Sequence, residues 1–413
     1  MKKIPLTVVL SAALLGQVLA QSTGVEIYND KANWNPFYNQ MGALGAKSGA
    51  PFKGVTFADT SSYQAAVRTS LGSNKAPPMF TWWSGYRMKD LVDTGMVEDL
   101  TALWTKYEKS GEYSPDAAKA FTFNGKVYAI PNNVAYWAVF YNKKAYADAG
   151  ITVPKTWAQL EANNAKLKAK NVTAFGQTVD GRWPAFIWFS EFLIRQDPDF
   201  YERLVAGKAK YTDPQVTKTF GTWKSWIDKG YLSSPSVTFG TSGGNGMAKL
   251  FAQGKIANIL VGDWYASTLQ EAGLKPGSDY GMFILPNMSA AARPAVIFEA
   301  APILVSKNSA VKADALKVAD FWMSASAQKV WVDLQSFTPV NKKVQADNPV
   351  TAGLSQEITG RNYRLINRIW EATPTEIIEP AVDELGKFML DPTTGSQTQA
   401  NIQKLADAYW NKK

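Results

Sequence analysis

Residues 125–143, GKVYAIPNNVAYWAVFYNK, are the stretch on which the fold assignment depends. Residues 127–130 form a short run of the β-branched and aromatic side chains that strands favour. The Pro-Asn-Asn sequence at 131–133 is a turn signal, and a longer apolar strand then runs through residues 140–141. The stretch therefore predicts two strands joined by a turn, in the middle of the chain.

Towards the N-terminus, strands and amphipathic helices alternate. Strands are predicted at residues 25–28, 55–57 and 79–82. Asp59 is a helix cap, and the helix after it carries apolar side chains at i, i+4 and i+8 before Gly72 ends it. Strands that alternate with such helices predict a parallel sheet covered on both faces, and hence one α/β lobe.

Towards the C-terminus, the same alternation predicts a second α/β lobe. Thr156 and Gln159 form a capping box that begins a helix. Strands are predicted at 256–261, 280–285 and 303–305, and the chain ends in a helix on which Ile402, Leu405 and Tyr409 share a face. The glycine-rich residues 240–246 predict a mobile loop and match neither a Walker loop nor a dinucleotide fingerprint.

Composition excludes several classes of chemistry. The 413 residues contain no cysteine and no histidine. The chain therefore has no thiol nucleophile, no histidine-dependent triad and no zinc site of the usual kind, and we expect neither a metal nor a cofactor. Chemistry based on two carboxylates stays open. The length is sufficient for two hydrophobic cores.

The N-terminus has the pattern of a secretory signal. Lys2 and Lys3 precede an apolar stretch at 6–15, and the small-residue site at 18–20 predicts cleavage before Gln21. No cysteine stands there to take a lipid, so we expect an unlipidated protein in the periplasm. Loss of the two lysines reduces the formal charge from +9 to +7. The remaining lysines form no basic run, so we expect no nucleic acid as a partner. We also expect a monomer.

Several segments, in this order, resemble the extracellular solute-binding proteins of sugar ABC importers, the family that includes maltose-binding protein. The strongest are a VYAIP strand (127–131), a YNK turn (141–143), an Ala-Gly helix end (149–150) and a P-x-T-W helix start (154–157). The chain departs from the family pattern at Pro78, where aspartate is common, and in the glycine-rich loop.

The resemblance implies a two-lobed periplasmic-binding-protein type II fold, in which two α/β lobes close on a ligand about a hinge. One lobe would comprise residues 21–133 and 300–340, and the other 138–298 and 341–413. The chain would cross between them near 133–138, 298–301 and 339–342. The implied function is capture of a mono- or oligosaccharide and its delivery to the permease subunits of an ABC transporter.

Sugar capture requires flat aromatic surfaces for the C–H faces of a pyranose and planar polar groups for its hydroxyls. The 15 tryptophans exceed what two cores require. By resemblance, Trp83 and Arg87 match a sugar-binding loop, Asp180 an acidic position, and Trp264 and Trp370 stacking positions. The candidate ligand-binding residues are Trp34, Asp59, Trp82, Trp83, Arg87, Asp180, Trp183, Asp263, Trp264, Glu299, Arg361 and Trp370. Caps, ion pairs and core packing are the alternative roles, and Trp157, Trp322 and Trp331 are predicted to be core.

Two rival functions stay open. A secreted carbohydrate hydrolase with two catalytic carboxylates would use the same aromatic residues. The same fold could also bind a non-sugar solute. A phosphorylated sugar would require clustered arginines, for which Arg87, Arg182 and Arg361 are the candidates, and a polyamine would require an acidic cleft.

Overall fold

The computed structural model describes residues 24–240, 244, 246–289, 292, 294–361 and 363–412. The predicted signal segment at 1–20 lies outside these residues. So do residues 241–243 and 245 of the glycine-rich loop, so the predicted mobility of that loop stays a prediction.

The chain alternates strands and helices over its described length. The strands are β1 (Val25–Asn29), β2 (Phe52–Thr56), β3 (Met79–Thr81), β4 (Thr122–Phe123), β5 (Lys126–Val127), β6 (Ile130–Asn142), β7 (Thr173–Phe175), β8 (Ile256–Gly262), β9 (Tyr280–Phe283), β10 (Ala295–Val305) and β11 (Arg364–Asn367). The helices of the first half are α1 (Asn35–Lys47), α2 (Thr60–Ser70), α3 (Tyr86–Asp93), α4 (Thr101–Lys109), α5 (Pro115–Ala118), α6 (Lys143–Asp148), α7 (Trp157–Ala169), α8 (Phe186–Gln196) and α9 (Pro198–Val205). Those of the second half are α10 (Pro214–Asp228), α11 (Met247–Ala252), α12 (Tyr265–Glu271), α13 (Lys312–Met323), α14 (Ala325–Gln335), α15 (Pro349–Gly360), α16 (Ile369–Ala372), α17 (Thr375–Leu390) and α18 (Gly395–Trp410).

The main sheet is mixed, with the strand order β2-β1-β3-β10-β6-β8-β7. The first three strands are parallel, as the sequence predicts. β10 runs antiparallel to both β3 and β6, and β6 antiparallel to β8. The prediction of a parallel sheet is therefore wrong for its centre, because β10 returns from a distant part of the chain rather than through a local strand-helix-strand unit.

The predicted turn at 131–133 is also wrong, because β6 runs through these residues without a break. Pro131 lies opposite Pro302 of β10, at a shift of register in the ladder. Proline has no N–H to donate, and a bulge is where a sheet tolerates that loss. The two prolines therefore lie opposite each other at an irregularity of the sheet, and β6 continues beyond them without a turn.

Two large hydrophobic cores flank this sheet, and two smaller buried clusters accompany them in the described residues. The buried cluster drawn from residues 25–134 and 300–337 is called the N-terminal core. The C-terminal core is the larger cluster, drawn from 137–297 and 366–406. β6 passes from one core to the other, since its residues 130–136 pair with β10 and 137–141 pair with β8. Within the described residues, no helix combines the length and the apolar character needed to cross a membrane.

The local predictions that depend on caps and helix faces are mostly confirmed. The side chain of Asp59 accepts a hydrogen bond from the Ser62 N–H at the start of α2. Thr156 caps α7 in the same way. Trp322 and Trp331 are fully buried in the N-terminal core, whereas Trp157 is only partly buried against the C-terminal core.

Candidate functional site

Three aromatic side chains pack together over a smaller buried cluster, from which Trp183 reaches the C-terminal core and Trp264 the N-terminal core. Trp264 follows the end of β8, Trp183 begins the short turn before α8, and Phe239 belongs to the loop before α11. The ring centroids of Trp183 and Phe239 are 4.9 Å apart, and both rings lie about 6 Å from Trp264, at 6.1 and 6.0 Å. All three rings are only partly buried. Partly exposed aromatic surface of this kind is what a sugar or another flat apolar ligand face requires.

Asp180 and the turn after it present Trp183. Gly181 and Arg182 both have positive φ, at 73° and 65°, which folds the backbone sharply before Trp183. The exposed Asp180 carboxylate accepts a hydrogen bond of 2.9 Å from the Phe239 N–H. Asp180 therefore joins the loops that carry two of the three aromatic rings.

Glu299 of β10 lies beneath the aromatic cluster and receives three donors. The indole N–H groups of Trp264 and Trp137 donate to it at 2.8 and 2.9 Å, and Arg368 forms an ion pair with it. The side chain is almost fully buried, and burial raises the pKa of Glu299, although the Arg368 guanidinium opposes that shift. Arg368 in turn pairs with Glu371, with Nε and Oε2 2.8 Å apart.

Asp263 is fully buried beside Trp264. Its carboxylate accepts a hydrogen bond from the Thr338 hydroxyl, and its backbone N–H donates to the carbonyl of Tyr136. Burial raises the pKa of Asp263 to about 8, with the nearby Glu299 carboxylate as a further cause in the same direction. Asp263 thus connects the end of β8 to the segment after α14 through a hydrogen bond.

Trp83, Arg87 and Trp370 form a second group. The guanidinium of Arg87 lies 4.4 Å from the ring centroid of Trp370 and 5.4 Å from that of Trp83, within cation–π range. It also pairs with Glu379 of α17. Burial lowers the pKa of Arg87 to about 10. Phe186 connects the two groups, since its ring is 5.7 Å from Trp370 and 6.0 Å from Trp183.

Trp82 packs against the second group, with its ring centroid 5.2 Å from that of Trp83, and three predicted residues make their contacts elsewhere in the described chain. Trp82 is 3% exposed and donates its indole N–H to the carbonyl of Arg87. Trp34 packs edge-on against Trp331 and Phe337 of the N-terminal core. Asp59 caps α2. Arg361 is exposed at the end of α15, where it pairs with Glu357 one turn earlier.

The sequence prediction did not include five residues of these groups: Trp137, Phe239, Arg368, Glu371 and Glu379. One local signal was available, because Arg368 and Glu371 are spaced i, i+3 and flank the predicted Trp370. Trp137 and Phe239 lie in apolar surroundings that resemble core. Among the described residues, no three acidic side chains gather in a way that would hold a metal ion.

A mixed α/β sheet between two cores, with partly exposed aromatic rings at their boundary, defines the class of two-lobed ligand-binding proteins. Residues 40–354 match the family described as bacterial extracellular solute-binding protein, and the chain belongs to that family. The predicted resemblance and the two-lobed α/β fold class are thereby confirmed.

Named relatives are similar over part of the chain. A putative binding protein of Brucella abortus is 25% identical over 263 residues, which are 62% of this chain and 60% of that protein. The diacetylchitobiose binding protein DasA of Streptomyces coelicolor is 27% identical over 238 residues, 55% of this chain and 52% of DasA. The aligned region thus spans about 60% or less of these relatives' length.

Solved structures match over nearly the whole chain. A chitin oligosaccharide binding protein superposes with a TM-score of 0.78, covers 93% of this chain and 98% of its own, and is 18% identical. At that identity the similarity shows a shared fold. These relatives and the family are binding proteins, and the family is extracellular.

Proposed function

We propose that this chain is the substrate-binding component of an ABC importer, which captures a neutral mono- or oligosaccharide outside the cytoplasm and delivers it to permease subunits. The observation that carries the proposal is the partly exposed cluster of Trp183, Phe239 and Trp264 at the boundary of the two cores. Its rings offer the apolar faces on which a pyranose stacks. The ligands in the names of the relatives, a chitobiose and a chitin oligosaccharide, support this choice.

The two lobes of the proposed importer component are residues 21–133 with 300–340, and 138–298 with 341–413. Two observations support this division. The buried residues of the N-terminal core fall in 25–134 and 300–337, and those of the C-terminal core in 137–297 and 366–406. The aromatic cluster then lies at the mouth of the closing interface, where closure about the crossing strands encloses a ligand.

The charges near the aromatic groups favour a neutral ligand over a phosphorylated one. Arg87 pairs with Glu379, Arg182 with Asp383, and Arg361 with Glu357 at the end of α15. Arg87 and Arg182 meet at the Glu379 carboxylate, with Arg182 3.9 Å from it, whereas Arg361 has a separate partner. Each of the three arginines therefore already has a carboxylate partner. A phosphate would have to displace those carboxylates, which costs more than binding to an unpaired arginine cluster.

The occupation of the buried carboxylates favours binding over hydrolysis. Glu299 and Asp263 are the acids whose pKa burial raises beside the aromatic cluster. Glu299 is held by the two indoles and Arg368, and Asp263, whose Oδ2 accepts from Thr338, has no exposed surface on which a sugar could lie. A glycoside hydrolase needs one acid free to protonate the leaving oxygen and a second on the opposite side of the sugar. We therefore propose a protein without catalytic activity, metal or cofactor.

The proposed function requires that the protein is exported. Residues 1–20 are a cleavable signal peptide, the mature chain starts at Gln21 without a lipid, and it works as a periplasmic monomer that binds no nucleic acid. The lysine-led apolar segment at the N-terminus and the lack of cysteine support this part of the proposal. Mass spectrometry of the exported protein checks both the cleavage site and the absence of a lipid.

A thermal-shift screen of the purified mature protein tests the function. Neutral sugars of one to several rings are compared with sugar phosphates, amino acids and polyamines, each at several concentrations. We expect a neutral sugar to raise the Tm by several degrees at concentrations far above its Kd, because only the folded state binds it. Calorimetry should then give one site, and chromatography should recover the sugar intact. A shift with polyamines or amino acids alone, or consumption of the sugar, would overturn the proposal.

A further inference from the structure

The carboxylate of Glu299 is shared between the two indoles of the site and a buried cation. Its Oε1 accepts from Trp264 at 2.8 Å, and its Oε2 accepts from Trp137 at 2.9 Å and from Arg368. Glu299 is 9% exposed and pairs with Ala135 in the ladder between β10 and β6. Both of its oxygens therefore already accept from protein donors, on the strand pair that joins the two cores.

Arg368 prevents this carboxylate from turning. Its guanidinium is held by Glu371 on one side and lies over the rings of Trp137, at 5.6 Å, and Phe186, at 5.8 Å. A cation fixed by a second carboxylate and two aromatic faces holds its partner oxygen in place. Oε1 then has one direction left, which is towards the indole N–H of Trp264.

The absence of a side chain at Gly262 leaves space for the indole of Trp264. A Cβ atom at Gly262 would lie 2.2 Å from Nε1 of Trp264, far inside van der Waals contact. The ring can fold back over the end of its own strand and reach Glu299 because residue 262 has no side chain. Hydrogen bond and steric gap together fix one orientation of the ring.

We propose that Glu299 is a positioning residue, which orients the indole of Trp264 for stacking and does not itself accept a ligand hydroxyl. This rests on the proposed function, in which Trp264 stacks on a sugar. The indole N–H of Trp264 already donates to Glu299, so Trp264 presents its ring face, and not its N–H, to the ligand. A ring held in one orientation loses less conformational entropy on binding than a free one, and affinity rises accordingly.

A double-mutant cycle separates positioning from direct contact. In Glu299→Gln the single amide oxygen stays with the Arg368 cation, and the NH₂ group then faces the Trp264 N–H, donor against donor. We expect sugar affinity to fall by about tenfold in the wild-type background. In the Trp264→Phe background, which has no indole N–H, the same substitution should change affinity less than about twofold. An equal loss in both backgrounds would show that Glu299 touches the sugar and would overturn the proposal.

Indole NMR tests the same orientation without any ligand. Each of the 15 tryptophans contributes one ¹H–¹⁵N indole signal, and the signal lost in Trp264→Phe is that of Trp264. Glu299→Gln should shift the Trp264 signal and speed its exchange with solvent, and an unchanged signal overturns the proposal. If no sugar binds the wild type, the proposed function is wrong. The NMR experiment still decides whether Glu299 orients the ring of Trp264.

A matched control exists in the C-terminal core, where Glu161 accepts from the indole N–H of Trp226 at 2.6 Å. Glu161→Gln should leave both the Trp264 signal and the sugar affinity unchanged. Gly262→Ala is the second route to a displaced ring, in case Glu299→Gln does not fold. It should shift the Trp264 signal. It should also lower sugar affinity in the wild-type background but not in the Trp264→Phe background. Gly262→Ala with wild-type affinity would contradict the positioning role.

Discussion

The guanidinium of Arg87 and the carboxylate of Glu379 form an ion pair between helices that belong to different cores. Arg87 lies in α3, which packs on the N-terminal core through Met88 and Leu91, and Glu379 lies in α17, which packs on the C-terminal core. Arg87 is 3% exposed, so the pair is largely shielded from water on the arginine side. The same contact region includes Gly85, where a Cβ would lie 2.0 Å from the carbonyl oxygen of Glu371.

Glu379→Gln should shift the protein towards an open arrangement of the two lobes. The substitution leaves the Arg87 cation buried without its carboxylate, which is unfavourable until opening restores its hydration. We expect a larger radius of gyration in X-ray scattering without ligand. Apparent sugar affinity should be about fivefold weaker, because a smaller fraction is closed. Asp93→Asn, which breaks an exposed pair with Lys89 on the same helix, is the control and should change neither.

Trp264→Ala should abolish sugar binding while the protein stays folded. Removal of a central stacking ring costs at least about 30-fold in affinity, since such rings carry most of the energy of a site. Calorimetry measures the affinity, and far-UV circular dichroism the fold. Trp410→Ala is the matched control, because Trp410 is a partly buried tryptophan of the C-terminal core that lies outside the aromatic cluster. Unchanged affinity in Trp264→Ala would remove Trp264 from the site.

Asp263→Asn should flatten the dependence of stability on pH. The pKa of Asp263 is raised to about 8 in the folded protein, whereas an unfolded aspartate titrates near its ordinary value of about 3.9. The unfolded chain therefore loses this proton first as pH rises. The contribution of Asp263 to stability is complete below about pH 4, declines between about pH 4 and 8, and stays constant above that.

Urea unfolding from pH 5 to 8 measures the difference, and the variant should lose a downward slope on the order of 1 kcal/mol per pH unit. Glu299, whose pKa burial also raises, titrates in both proteins and largely cancels in the comparison. Parallel pH profiles of the two proteins would show that Asp263 is ionised in the folded state.

Asp59→Ala should lower stability by about 1 kcal/mol, the usual value of a helix cap, and leave sugar affinity unchanged. The expected loss follows from the hydrogen bond that Asp59 accepts from the Ser62 N–H. Thr156→Ala, which removes the cap of α7, should behave alike in both measurements. A fall in affinity with Asp59→Ala alone would restore the predicted ligand role of Asp59.

The sequence predicted the elements whose signals are local. The cap at Asp59, the cap at Thr156 and the strand before Trp264 were each readable from a few neighbouring residues. The centre of the sheet was not readable, because the place and direction of β10 depend on pairing with strands far away in the chain. The turn predicted at 131–133 failed for the same reason, since Pro131 is accommodated by Pro302.

The candidate site was predicted in part. Trp183 and Trp264 were chosen because each follows a turn or a strand end, and the structure brings them together. Glu299 was chosen by its surroundings in sequence, yet its partners Trp137 and Arg368 follow only from the three-dimensional packing. Arg361 was chosen as a polar neighbour, and its exposed side chain pairs with Glu357 at the end of α15.

The pairing of β3 with β10 has a consequence for biogenesis. Met79 aligns with Val305, so the sheet beside the N-terminal core stays incomplete until roughly three quarters of the polypeptide has been synthesised. Contacts between such distant segments form slowly, because a long loop must close first. A chain whose N-terminal sheet is completed late stays unfolded for longer, which suits the export proposed for this protein.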